Sequence, residues 1–305
     1  MIHQLFEQAK NYIFTQGRAL DQTLFDYHFS DGDPEMVLSA LAIYQNEDGG
    51  FGHGLEPDIR TPASSVIATA HAFAIFRELK TPANHNLVQQ AVGFLQKQFD
   101  NEKNVWWIVP PEVELAPHAA WWTYDVIEQT FEHFMTNPRA QIIGCLYDYA
   151  ELVPADFLQR ITMQLLEHME TVPDELFQND FLCYLVLAEA KNLPTKLRER
   201  VEQKLLSSAP ASIVQEPSRW EEYVLRPLGA VSSPDSFLME AVSQEAIEAN
   251  LNYLMEQQLP DGSWPLPWSW EQMDAAAWAQ AERDWKGAIA VENLRLLQAF
   301  GRLEK

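Results

Sequence analysis

In the stretch GGFGHGLEPDIR, residues 49–60, carboxylates at Glu56 and Asp58 and a guanidinium at Arg60 alternate along a loop. Four of the chain's 12 glycines stand just ahead of them or among them. Acids held near other acids and away from water have raised pKa values and can protonate a substrate, so Glu56 and Asp58 are the candidate catalytic acids. His53 and Arg60 flank them as candidate ligand-binding groups. The alternative for the same residues is a solvated loop with a local Asp58–Arg60 pair. As loop positions off the core, the two acids are expected to be accessible to solvent.

Two further sets of residues can do chemistry. Among the ten tryptophans, Trp121 and Trp122 in WWTYD and Trp268 and Trp270 in WPLPWSW are candidate ligand-binding rings. Aromatic faces attract carbocations and stack against sugar rings; the same clusters also read as core or rim. The third set lies in RWEEYVLRP, 219–227, and DWKGAIAVEN, 284–293. Arg219, Tyr223, Arg226 and Lys286 are its anion donors, from a small pool of bases.

The charge balance narrows the partners. Forty-four acids against 21 bases leave a formal charge of −23. Such a field repels nucleic-acid backbones and anionic lipid surfaces, so neither is an expected partner. It also opposes a ligand carrying several phosphates, unless the few bases converge on one place. Cys145 and Cys183, the two cysteines, sit in apolar helical patterns and read as reduced core thiols, with no disulfide and no metal. No apolar run approaches the roughly 18 residues that span a bilayer. Residues 1–5, MIHQL, carry no basic-then-apolar leader, so a cytoplasmic location is expected.

The elements that must position these groups read as helices almost throughout. The periodicity predicts about twelve: 2–16, 34–44, 63–79, 84–99, 118–133, 139–151, 155–170, 175–191, 195–206, 243–258, 274–282 and 286–301. Prolines at 34, 82, 138, 154, 173 and 194 stand just ahead of amphipathic runs, where a missing N–H has no partner to lose. Asp33 reads as the cap of the helix that begins at Pro34. Three longer links, 45–62, 100–117 and 207–242, hold most of the candidate groups. Long loops in compact domains are often functional. The chain is read as one all-α domain, 1–305.

The helix ends repeat. LAIYQNEDGGF at 41–51 and YLMEQQLPDGSW at 253–264 share an apolar pair, a glutamine, an acidic linker, Asp-Gly and an aromatic ring. A weaker copy, FLQKQFDNEKNVWW at 94–107, lacks the glycine. In each, a positive-φ turn folds a ring back over the helix end, and the glutamine can bond carbonyls that the terminus orphans.

These turns resemble the QW repeats of squalene–hopene cyclases. The segment Gln45, Gly49, Gly50, Phe51, Gly52, leading to a helix entry over Thr61–Ala70, resembles protein prenyltransferase β-subunits more closely. Gln258, Gly262 and Trp264 match the C-terminal repeat. The resemblance implies an α/α toroid of inner and outer helices with a central cavity, and places Glu56, Asp58 and Arg60 at the cavity's mouth. It implies a small, largely apolar ligand of isoprenoid type and a cyclase- or transferase-like reaction. The family's metal site is not carried over: Ile143 and Phe181 stand two positions before the cysteines where an aspartate is needed, and residues 179–184 contain no histidine. Its Asp-x-Asp-Asp acid is missing too, SDGDP at 30–34 being a superficial echo. Proton-initiated chemistry by Glu56 or Asp58 would need no metal and no cofactor. A carbohydrate-active α/α-barrel protein, glycosidase or lyase, is the alternative, and a non-catalytic binding module on the same fold is a third reading.

Overall fold

The computed structural model describes residues 2–303. These form 13 α-helices and one short antiparallel hairpin, so the fold is all-α. No helix among the described residues is long and apolar enough to cross a membrane. The helices fall into two compact units. One holds the chain up to Ile43 together with the chain from Ile213 on; the other is Tyr44–Ser212.

The first unit contains α1 (Ile2–Gln16), α2 (Ala19–Phe29), α3 (Pro34–Ala42), α11 (Pro227–Ala230), α12 (Gln244–Glu256) and α13 (Ala275–Ala299). α1 packs on α2 and α13, and α2 on α3 and α13. α3 begins as its sequence requires: the Glu35 N–H donates to the Asp33 carboxylate at 2.9 Å, and Pro34 takes the first turn.

In this unit two elements differ from expectation. α2 lies in a span read as a link; its amphipathic pattern is weak, and its start is set by a pair rather than a period. The Arg18 backbone and guanidinium both donate to Asp21, at 2.9–3.0 Å, and Asp21 is fully buried. α13 is one helix of 25 residues where two were expected. Gly287 does not end it. A Cβ there would stand 2.7 Å from the Asp21 carboxylate and 3.1 Å from the Gly17 Cα, so the glycine lets α13 press against the corner between α1 and α2.

The second unit contains α4 (Val66–Glu78), α5 (Asn86–Lys97), the strands β1 (Phe99–Asp100) and β2 (Val105–Trp106), α6 (Ile127–Thr130), α7 (Arg139–Asp148), α8 (Ala155–Met169), α9 (Gln178–Ala188) and α10 (Thr195–Ser212). α7 packs on α4, α8 and α9, and α10 packs on α9. α4 is capped by Ser65, whose hydroxyl accepts from the Ala68 N–H, and it buries Val66 to Ala70, Ala72, Phe73 and Phe76. Cys145 on α7 and Cys183 on α9 are buried free thiols.

The helix expected over 118–133 is broken into short turns at Ala120–Trp122 and Tyr124–Val126, then α6. Two of its N–H groups pair outside the segment: that of Ala119 donates to the Asp58 carbonyl at 2.9 Å and that of Tyr124 to the Glu114 carboxylate at 2.6 Å. Glu132, His133 and Phe134 then run in the left-handed region, with φ of 45°, 57° and 60°.

The two Asp-Gly turns have the same construction. Gly49 and Gly262 have φ of 90° and 94°. Gln45 donates to the carbonyls of Gly49 and Leu87, both at 3.0 Å; Gln258 donates to those of Gly262 and Leu5, at 3.1 and 2.9 Å. Asp48 accepts from the Gly50 N–H and Asp261 from the Ser263 N–H. Each glutamine thus bonds its own turn and a neighbouring helix. The third copy replaces glycine by Asn104, at φ 61°. Its Trp106 indole donates to the Leu95 carbonyl as that of Trp264 does to Leu254, both at 2.7 Å. Phe51, Trp106 and Trp264 are all buried.

Candidate functional site

Gly52 leaves the first turn with its N–H on the Tyr44 carbonyl, and the chain then folds through Leu55 N–H to Gly52 carbonyl and Ile59 N–H to Glu56 carbonyl. Residues 58–60 lie antiparallel to 117–119: the Arg60 N–H donates to the Pro117 carbonyl and the Ala119 N–H to that of Asp58. This pairing brings the Trp121–Trp122 segment beside the acid loop.

Glu56 and Asp58 are each only 3% exposed. That corrects the expectation of solvent-accessible acids off the core. Glu56 Oε2 lies 3.2 Å from Nδ1 of His71 on α4, whose side chain keeps 31% of its exposure. A buried carboxyl therefore meets an imidazole that solvent can reach. Protons can pass between the two at that distance.

The other groups of this unit are spread around the loop. His53, exposed, lies 2.8 Å from the Asn46 side-chain oxygen, and Arg60, half-buried, donates to the Pro57 carbonyl at 3.3 Å. Trp122 is buried and stacked on Phe131, ring centroids 5.2 Å apart, with its indole N–H unpartnered; Trp121 is half-buried.

The remaining candidates belong to the other unit and serve separate settings there. Arg219 is exposed and paired with Glu222 at 3.2 Å. Tyr223 meets Trp268 edge to face at 6.0 Å, and Trp268 meets Trp285 likewise at 5.4 Å. Trp270 is fully buried against Trp278. Lys286 pairs with Glu282 at 2.8 Å and lines a polar groove of about 670 Å³ along α1, α13 and the Pro260–Asp261 turn. Burial, then the carboxylates of Asp261 and Glu282, push the Tyr12 phenol in this groove up to about 12. A second groove, of about 510 Å³, is lined by Asn46, Asp48, residues 61–64, Glu112, Leu115 and Ala116. Residues 53–60 line neither of these two grooves.

Sequence reasoning missed His71. Its signal was present: a single imidazole in ATAHAFAIF, an otherwise apolar helix that follows the acid loop directly. Among the described residues, no group of three or more His, Cys, Asp or Glu side chains is arranged to hold a metal ion. Comparison with family models, curated proteins and solved structures gives no match for this chain.

Proposed function

We propose that the chain is an acid–base enzyme of terpenoid-cyclase or prenyltransferase type, with Glu56 as the proton donor and His71 as the group that reloads it from solvent. The observation that carries this reading is the 3.2 Å contact between a carboxyl that is 3% exposed and a partly exposed imidazole. Such a pair supplies a proton inside an apolar setting and recovers it from water. The substrate class follows from the resemblance of the Gly49–Gly52 turn and the Gln258–Trp264 turn: a largely apolar molecule of isoprenoid type in the centre of an α/α toroid, in a cytoplasmic protein. The proton would add to one alkene carbon, a second alkene would attack the resulting cation to close a ring, and the cation so formed would lose a proton, or capture water and then lose a proton, to restore neutrality. Asp58 and the rings of Trp121 and Trp122 flank the same loop as electrostatic support.

Incubation with isoprenoid alkenes in D2O tests the reading. A product carrying one carbon-bound deuterium per turnover, lost in Glu56→Gln and slowed in His71→Asn, is the expected result. Deuterium incorporation that Glu56→Gln leaves unchanged refutes it.

A second reading, a carbohydrate-active protein, is favoured by the groove that Lys286 lines. Gln4, Gln8, Asn11, Thr15 and Gln16 furnish amide and hydroxyl groups there, which match the paired donor and acceptor character of sugar hydroxyls. Release of reducing ends from an oligosaccharide panel distinguishes it from the first.

A further inference from the structure

We propose that Arg139, Arg160 and Lys103 form a binding site for a tetrahedral oxyanion of phosphate type, at the turn between β1 and β2. This inference is independent of the acid–base reading.

The starting point is an unusual charge. Arg139, at the start of α7, is 1% exposed. Buried guanidinium groups are normally matched by carboxylates. Arg139 instead donates to the backbone carbonyl of Asn104 at 2.7 Å and to the side-chain oxygen of Gln164 at 3.0 Å, both neutral, and its Nε has no partner. Burial, then the nearby charge of Arg160, pull its pKa down to about 10. A second cation thus stands beside the first, at a cost that the fold retains.

Arg160, on α8, is exposed and held in place. It donates to the side-chain oxygens of Asn104 and Asn101 at 3.2 and 3.1 Å, again neutral, and its guanidinium lies 5.5 Å from the ring centroids of both Phe99 and Phe157. Lys103 belongs to the turn itself: its ammonium lies 4.5 Å over the Trp107 ring, and its backbone N–H donates to the Asp100 carboxylate at 3.0 Å. The side-chain partners given for both arginines are neutral oxygens, in a chain with 44 acids, and the acid of this turn, Asp100, accepts from the backbone N–H groups of Glu102 and Lys103. A planar guanidinium fixed by stacking and amide bonds, with a buried cation behind it, is prepared for an anion with several acceptor oxygens. The anion donors read from the sequence, Arg219, Arg226 and Lys286, lie elsewhere. Two of the chain's few bases, Arg139 and Arg160, meet here on the backbone and side-chain oxygens of Asn104.

Titration with inorganic phosphate, at ionic strength matched with sodium chloride, tests the proposal by calorimetry and by thermal melting. Saturable binding and a rise in melting temperature that chloride does not reproduce are expected. Arg160→Gln, an exposed position that should fold normally, should weaken phosphate binding at least tenfold, and Arg160→Lys by less. Arg200→Gln, which removes a half-buried arginine paired with Glu170, should leave binding unchanged. Glycerol 3-phosphate in place of phosphate separates a phosphorylated metabolite, which binds more tightly, from the free ion, which does not; either supports the site. Equal effects of phosphate and chloride, or wild-type affinity in Arg160→Gln, overturn it.

Discussion

Glu56 and His71 meet at 3.2 Å, the carboxyl closed off from water and the imidazole open to it. The acid is therefore part of the packed structure as well as the proposed donor. Glu56→Gln should cost about 1–3 kcal/mol, the range for a hydrogen bond to a charged group lost in a buried place. Urea unfolding of the two proteins measures it. A loss below a few tenths of a kcal/mol would mean that the carboxyl is not held as the geometry indicates.

Gly49 and Gly262 should tolerate no side chain. Each has a positive φ, and a Cβ at Gly49 would stand 2.5 Å from the Gln90 carbonyl oxygen, while one at Gly262 would collide with that of Gln8. We expect Gly49→Ala and Gly262→Ala each to cost about 2–4 kcal/mol, from backbone strain plus overpacking. Gly93→Ala is the contrast: within α5, with open space around the added methyl, it should add about 0.5–1 kcal/mol. Melting curves of the three variants decide it.

The paired glutamines should behave alike. Gln45→Leu or Gln258→Leu removes the donor from two carbonyls at once, one in the turn and one on a neighbouring helix. Each is expected to cost about 1–3 kcal/mol. Denaturation midpoints that fell for one and not for the other would end the equivalence of the two turns.

Asp180, at the start of α9, carries the clearest pH signature. Burial, then the Glu132 carboxylate, raise its pKa from 3.8 to about 6. The folded state then holds the proton more tightly than the unfolded chain, so this group's contribution to stability is fully present below 3.8 and is lost as pH rises through about 6. Asp180→Asn should remove that loss. Relative to wild type it should gain about 1–2 kcal/mol between acid and neutral pH, after allowance for partial exposure. Unfolding free energies of both proteins from pH 4 to pH 8 test the sign.

Much of the architecture is legible in the sequence because it depends on neighbours a few residues apart. Helical periodicity gives an all-α chain, Asp33 and Pro34 give a helix start, and the spacing from Gln45 to Gly49 and from Gln258 to Gly262 gives two turns of one design. The left-handed glycines and the buried rings of Phe51 and Trp264 follow from the same local chemistry.

What escapes the sequence depends on distant partners. α2 is set by the Arg18–Asp21 pair and by burial rather than by a period. The segment 118–133 runs as short turns rather than one helix, tied to distant residues by the Ala119 N–H on the Asp58 carbonyl and the Tyr124 N–H on the Glu114 carboxylate. The candidate residues are parted in the same way: Glu56, Asp58, His53, Arg60, Trp121 and Trp122 go to one compact unit, and Arg219, Tyr223, Trp268, Trp270 and Lys286 to the other. His71 joins Glu56, and Arg139 joins Arg160, only because packing closes distances that no spacing rule encodes. Local propensity decided which elements form and where they turn. Burial and long-range hydrogen bonding, which act between residues far apart in the chain, decided which charges stand together and out of water.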